Sequence, residues 1–451
     1  MRMNEAMPEQ LSPESPASAR RREHLILFIL AAVQFITIVD FMIVMPLGPQ
    51  FMRTLKISDD EFSLIVSSYT FAAGITGLLA STLVDRFARR TIFMILYAGF
   101  LLGTLCCAIA PNYVLLIAAR VATGAFGGIL GGLSMTIVGD VFPDARRGRA
   151  TGILMSGFAV ASVAGVPFGL YLGTNYGWHV PFWALVVGGL PFLALTPFVL
   201  PRLDGHFGRA HAHPLRAVAE MFSRRNHLRA FALTIALMLG SFSVFPFVSA
   251  YFVKNVGLTE DELPLLYVLG GALTLVAAPI VGRLADRFGK LKVYRIVAPL
   301  AAALLLAITN LPPVPTWIAV VVFGSLMVSN IGRSIPAMAM ITGSVEPRLR
   351  GGFMSANSAV QHIAAGVATS LGGAIVMESP DGRLERFGLV GVMAATASLA
   401  TLWLAGRVRS AEIAPTKAED LSLAAAAEAS VDSGEVMIAA VGAESPAASR
   451  P

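Results

Sequence analysis

An acid in the middle of an apolar run is the first residue of this chain with chemistry to offer. Asp40 lies in Ile36-Thr-Ile-Val-Asp-Phe-Met-Ile-Val-Met45 with no other charge beside it. An isolated ionised side chain at the centre of a bilayer costs at least about 2.5–3.5 kcal/mol, so Asp40 needs a partner or a task. Arg120, in Ala118-Ala-Arg-Val-Ala-Thr-Gly124, is placed in the same way. Counted back from the nearer ends of their apolar runs, Leu47 and Val114, both residues lie at a depth of about 10 Å at ~1.5 Å per residue. Their shared depth predicts a pair across a water-filled cavity. A carboxyl in that position can trade a proton for a positive charge, either the guanidinium or a cationic substrate. The alternative is a static buried ion pair.

Other polar side chains stand in apolar runs. Arg333, in Asn330-Ile-Gly-Arg-Ser-Ile-Pro336, is deep enough to need a reason and shallow enough to snorkel. It is read either as a substrate or gate contact or as a structural anchor. Gln361 and His362 are further candidates for substrate contact, and His362 has the chemistry to titrate, although a hydrogen-bonded interior histidine is the commoner case. Gly165, Pro167 and Gly169 in one run predict a helix bend with freed backbone groups, tolerable where protein or water receives them. The adjacent Cys106 and Cys107 offer neither a disulfide framework nor metal-ligand spacing. No nucleotide-binding loop, nucleophile arrangement or metal cluster is present, so no enzyme, cofactor or metal is expected.

The elements that must position these residues follow from composition. Of 451 residues, 55% are hydrophobic and 14% charged, wrong for a soluble protein and right for a bilayer. Runs of about 20 mostly apolar residues predict an all-α integral membrane protein of twelve transmembrane helices: Leu25–Leu47, Phe62–Val84, Thr91–Ala110, Val114–Val138, Ala150–Leu172, Val180–Leu200, Leu228–Val253, Leu263–Leu284, Val293–Leu311, Trp317–Ile341, Phe353–Val376 and Phe387–Ala405. The first run is too long for a cleavable signal and is read as a retained span. The net charge of +6 does not point to nucleic acid, because its cations sit in short loops. Arg86, Arg89 and Arg90, Arg146, Arg147 and Arg149, Arg202 to Arg225, Arg287, Lys290 and Lys292, and Arg348 with Arg350 fill alternate loops. The positive-inside rule makes those loops and both termini cytoplasmic, in an inner or plasma membrane. The expected domains are a cytoplasmic tail over 1–23, a six-helix bundle over 24–200, a linker over 201–227, a second bundle over 228–406 and a disordered tail over 407–451. His211 and His213 in the linker invite a metal reading, but a basic segment on the inner leaflet is the ordinary one.

The two bundles repeat. Asp85-Arg-Phe87 and Asp286-Arg-Phe288 are 201 positions apart, and the same offset carries Ser58-Asp-Asp-Glu61 onto Thr259-Glu-Asp-Glu262. Both acidic segments have capping-box spacing and predict helix starts. In this register Asp40 falls on Ser241, so any coupling by the acid is asymmetric between halves.

Two parallel six-helix halves, each with a cation-rich loop after its second helix, resemble the major facilitator superfamily. Gly282-Arg-Leu-Ala-Asp-Arg-Phe-Gly-Lys290 meets that family's loop pattern, while the first copy has Ser81 and Ala88 where two glycines are expected. Arg120 with Gly124 and Gly128 is similar to the intramembrane Arg motif. Gly165-Val-Pro-Phe-Gly169 resembles an incomplete form of the antiporter Gly/Pro motif, and Asp140 with Arg146-Arg-Gly-Arg149 resembles the loop after helix four. Asp85 can pair with Arg89, and the resemblance implies that Asp140 completes a relay which, with Arg86, Asp286, Arg287 and Lys290, latches the inner gate. Loops that only anchor helices are the plainer alternative. The family also implies alternating access and, in its drug and sugar efflux branch, export of a small molecule in exchange for protons. A symporter or uniporter, or a membrane sensor or assembly factor without flux, are the competing expectations. Substrate and oligomeric state are not legible.

Overall fold

The computed structural model describes residues 16–83, 88–201, 221–346 and 349–411. Asp85, Arg86, His206, His211, His213, Arg348, the first 15 residues and the tail beyond residue 411 lie outside the described residues. In chain order the helices are α1 (Pro16–Ile43), α2 (Gly48–Leu55), α3 (Asp59–Leu83), α4 (Arg89–Ala108), α5 (Tyr113–Val141), α6 (Asp144–Val160), α7 (Val166–Tyr176), α8 (His179–Val199), α9 (Arg225–Phe242), α10 (Phe245–Tyr251), α11 (Leu263–Phe288), α12 (Lys290–Thr309), α13 (Thr316–Gly343), α14 (Arg350–Ile375) and α15 (Phe387–Ala405). A small antiparallel hairpin, β1 (Met377–Glu378) with β2 (Leu384–Glu385), links the last two. Eleven stretches among the described residues have the length and apolarity of a membrane span. The remaining long helix, α14, has 26 residues and carries Ser355, Asn357, Ser358, Gln361 and His362 along its course.

Proline decides where the expected spans break. The first and seventh were expected as single helices, yet α1 stops at Ile43 and α9 at Phe242. Pro49 enters the first turn of α2 and Pro246 that of α10, where a missing N–H costs nothing, whereas inside a helix it would remove a bond and clash with the preceding turn. A π turn, Phe252–Val256, follows α10. The predicted caps are present: the carboxylates of Glu61 and Glu262 accept the backbone N–H of Ser58 at 2.9 Å and of Thr259 at 2.8 Å. The segment Gly282–Lys290, expected as a loop, is helical through Phe288, and only Gly289, at φ +94°, makes the turn. Its counterpart in the first half, Ala88, has φ −56°. An L residue avoids positive φ, so Ala88 does not take the backbone conformation of Gly289.

Each half builds its own core at the end of the bundle where α1 begins and α15 finishes, called here the terminal end. One cluster holds Leu30, Phe93, Tyr97, Phe100 and Leu133 of the first half, another Phe231, Leu237, Tyr294 and Phe353 of the second. At the far end a single cluster joins both halves, with Phe51 and Phe62 among the same buried residues as Phe247, Phe252 and Phe323. The rings of Phe62 and Phe247 meet edge to face at 6.3 Å across the seam. Helices α3 and α14 run close together along it, and a Cβ added at Gly366 or Gly373 would come within 2.8 Å of Thr70 or 2.4 Å of Ser63. An ion pair between Arg53 and Glu260 crosses the same end.

Candidate functional site

Asp40 sits three residues before the end of α1, and two helices bring its partners to it. Arg120 of α5 donates from Nη1 to Oδ2 at 2.8 Å, and Thr104 of α4 donates to Oδ1 at 3.1 Å. Both charged side chains are 0% exposed. The expected pairing is therefore present, but the water-filled cavity between the two groups is not: they touch directly and are sealed from solvent. Asp40 has a donor on each oxygen, whereas Nε and Nη2 of Arg120 lack hydrogen-bond partners. The guanidinium lies 4.5 Å from the ring of Tyr69, a cation–π contact that replaces part of its lost hydration. Tyr69 stacks on Phe41 at 5.2 Å, and Phe41 reaches Phe242 of the second half at 5.9 Å. The sequence reading missed Thr104 and Tyr69, because a lone Thr or Tyr in an apolar helix carries no spacing signal.

Glycines seat this cluster. A Cβ at Gly124 would come within 2.3 Å of the Tyr69 carbonyl oxygen, and one at Gly128 within 2.5 Å of Ala73, so α5 lies against the backbone of α3. On the other side of α1, Gly165, Gly169 and Gly173 receive Val39, Ile43 and Leu47, with added Cβ atoms at 2.2, 2.9 and 2.4 Å. The shared four-residue step aligns the two helix faces flanking Asp40. A π turn over Ala161–Gly165 precedes Pro167, in the segment where a bend was expected.

Ser241, which the repeated offset pairs with Asp40, also meets an arginine. Arg333 is 1% exposed. Its Nη2 donates to Ser241 Oγ at 2.7 Å and to Asn330 Oδ1 at 3.0 Å, Nη1 to Ser398 Oγ at 2.9 Å, and Nε to Asn330 Oδ1 at 3.1 Å. It thus ties α9, α13 and α15 together inside the second bundle. Gln361 and His362 are half-buried on α14, beside Ile363, whose side chain would lie 2.6 Å from a Cβ at Gly74 of α3.

Of the residues assigned to the inner gate, Arg89 pairs with Asp140 at 3.4 Å, joining the start of α4 to the end of α5. Arg146 pairs with Glu23 at 2.6 Å, joining α6 to α1. Asp286 and Arg287 are exposed at the end of α11, with Arg287 over the ring of Phe288 at 5.3 Å. Lys290 lines a cavity of about 550 Å³ with Ile335, Met338, Thr342 and Arg350.

The sequence profile described as Major Facilitator Superfamily matches residues 30–332 and 230–444. Two proteins of Bacillus subtilis (strain 168), the uncharacterized MFS-type transporters YceJ and YbcL, are each 23% identical to this chain. The alignments span 77% of this chain and 88% of YceJ, and 82% of this chain and 93% of YbcL. Among solved structures, the D-xylose-proton symporter superposes with a TM-score of 0.68 at 17% identity, over 87% of this chain and 100% of its own. A bacterial homolog of the human lysosomal transporter Spinster, in an inward-facing and unoccupied conformation, gives 0.62 at 14% identity over 88% and 95%. With two six-helix halves, a buried Asp–Arg pair between the first and fourth spans and a profile match over most of its length, this chain belongs to the major facilitator superfamily of membrane transporters.

Proposed function

We propose that this transporter exports a small organic compound in exchange for protons, with Asp40 as the proton carrier. The observation that carries the reading is the fully buried contact between Asp40 and Arg120. Burying two charges is costly even when they pair, and a carboxylate that is neutralised by either a proton or a guanidinium can switch between the two. Protonation of Asp40 frees Arg120, whose contact with Tyr69 passes through Phe41 to Phe242 of the other half. Opening of the pair is thereby linked to the seam on which the halves rock. The shared far-end core and the separate terminal-end cores fit a state open toward the termini, the cytoplasmic side by the positive-inside rule.

Arg333 is assigned here to holding the second bundle together, since its partners are helix-to-helix contacts. Solute contact is assigned to Gln361 and His362. The ion pair of Arg89 with Asp140 supports a latch anchored within the first half, to which Asp85, Arg86, Asp286, Arg287 and Lys290 would add contacts when the terminal end closes. The test is flux in proteoliposomes under an imposed pH gradient. Solute moving against the proton flow supports exchange, co-directional movement means a symporter, unaccelerated equilibration a uniporter, and absence of flux a sensor or assembly factor. The folds shared with a sugar–proton symporter make that comparison the sharpest one. Asp40→Asn should abolish the response to the gradient, and uphill transport retained in that variant removes Asp40 from the mechanism.

A further inference from the structure

Asp59, the first residue of α3, is 3% exposed, and neither of its carboxylate oxygens has a hydrogen-bond partner. Its neighbour Asp60 is exposed and Glu61 half-buried, so the burial belongs to Asp59 alone. What covers it comes from the second half of the chain. Gly373 of α14 packs over the start of α3, where an added Cβ would lie 2.4 Å from Ser63 and 3.4 Å from the Asp59 carbonyl oxygen. Across the seam the charge of Lys254 favours the ionised carboxylate and that of Glu378 opposes it, as does Asp60 on its own helix. Lys254 is already engaged: its Nζ is 2.9 Å from a Glu378 carboxylate oxygen and 4.0 Å from Met52 Sδ.

An acid at a helix start is ordinarily held by backbone N–H groups; Asp59 accepts from none. A carboxylate enclosed without donors is the expensive form of the group, and a single proton makes it an ordinary buried acid. We propose that Asp59 is a proton-binding site of the far-end seam: closing the two halves over it takes up one proton from the far side, and opening returns that proton to the same side. The cycle moves no net charge across the membrane, unlike the role proposed for Asp40. It sets the balance between the two states by the pH of the far compartment, with acid favouring closure.

The experiment places spin labels at Thr54→Cys and Arg383→Cys, exposed residues of the two halves at this end, in the full chain carrying Cys106→Ser and Cys107→Ser. Label separations are measured in lipid from about pH 5 to about pH 8, in potassium buffers. The expected result is a short-distance population that grows as pH falls, and that is present at every pH in Asp59→Asn. Asp59→Ser, smaller and equally neutral, should behave as Asp59→Asn does. Asp40→Asn should leave the pH response of the seam in place, so the two sites fail separately. Separations independent of pH in the parent, a response that survives both Asp59 substitutions, a response lost in Asp40→Asn alone, or one that follows sodium instead of pH would each overturn the assignment.

Discussion

Asp40 and Arg120 neutralise one another where neither could remain charged alone, and this unequal dependence is measurable. Asp40 keeps two donors, while two of the three guanidinium nitrogens of Arg120 lack acceptors. Breaking a buried pair by removing one member typically costs about 3–5 kcal/mol, whereas replacing both by apolar groups is often neutral. Arg120→Leu should therefore lower the thermal midpoint of the purified protein more than the double variant Asp40→Leu/Arg120→Leu does. Equal melting of the single and double variants would mean that the pair is not the unit of stability. Asp40→Asn keeps the shape and the bond from Thr104 but leaves Arg120 charged beside a neutral amide, so its thermal midpoint should also fall. Compared at equal amounts of protein in the membrane, it should lose its response to a pH gradient. Both charges were legible in the sequence, because an isolated charge in an apolar run is conspicuous. Thr104 and Tyr69 were not, because polar groups of that kind occur throughout these helices and only packing tells which of them touch.

At the scale of elements, what holds the site is the fit of glycines against α1 and α3. Gly165 has Val39 Cγ2 2.2 Å from where its Cβ would be, while Gly132 has open space around it. Both are helical, but overpacking a filled contact costs about 1–3 kcal/mol whereas an unopposed Gly→Ala in a helix gains up to about 1 kcal/mol. Gly165→Ala is thus expected to destabilise, Val39→Ala in addition to restore much of the loss, and Gly132→Ala to be neutral or stabilising. Thermal melts of the four proteins decide it, and a loss at Gly165 that Val39→Ala does not relieve would point away from this contact. The glycines could be seen in the sequence, and so could the segment around Pro167, where a π turn interrupts the helix. Which ones face a neighbour could not, since a glycine leaves no periodic mark of what it touches.

For the molecule as a whole, the proposed exchange of two states makes contacts across the far-end seam the place to test their balance. The Arg53–Glu260 pair spans it with Arg53 largely exposed, so its worth is at most about 1 kcal/mol, roughly a fivefold change in the ratio of states. Arg53→Glu should shift the label separations across this end toward the open form by up to that factor, and Arg53→Glu/Glu260→Arg should bring them back. Failure of the charge swap to restore the distribution would show that the pair does not bias the equilibrium. Arg89→Ala tests the opposite end: its bond to Asp140 is made within the first half and would anchor the latch contacts formed when the terminal end closes. The variant should therefore weaken the closed state and favour the one open toward the termini, read as reduced labelling of a far-end cysteine.

Membrane residence, the family's fold and the isolation of Asp40 and Arg120 in apolar runs were determined by the sequence, because each is a property of residues counted along the chain: apolar length, a loop pattern, a charge in a run. Of the twelve spans expected, eleven among the described residues have the length and apolarity of a membrane span. Only the tertiary structure decided that Asp40 meets Arg120 directly, that Ser241 meets Arg333 instead of an acid, and that Asp59 is enclosed by the opposite half. Those outcomes depend on which helix faces which, and a one-dimensional pattern does not carry that. Asp40 and Arg120, 80 positions apart, and Ser241 and Arg333, 92 apart, meet within one bundle, whereas Gly373 and Ser63, 310 apart, meet where the two halves close on each other.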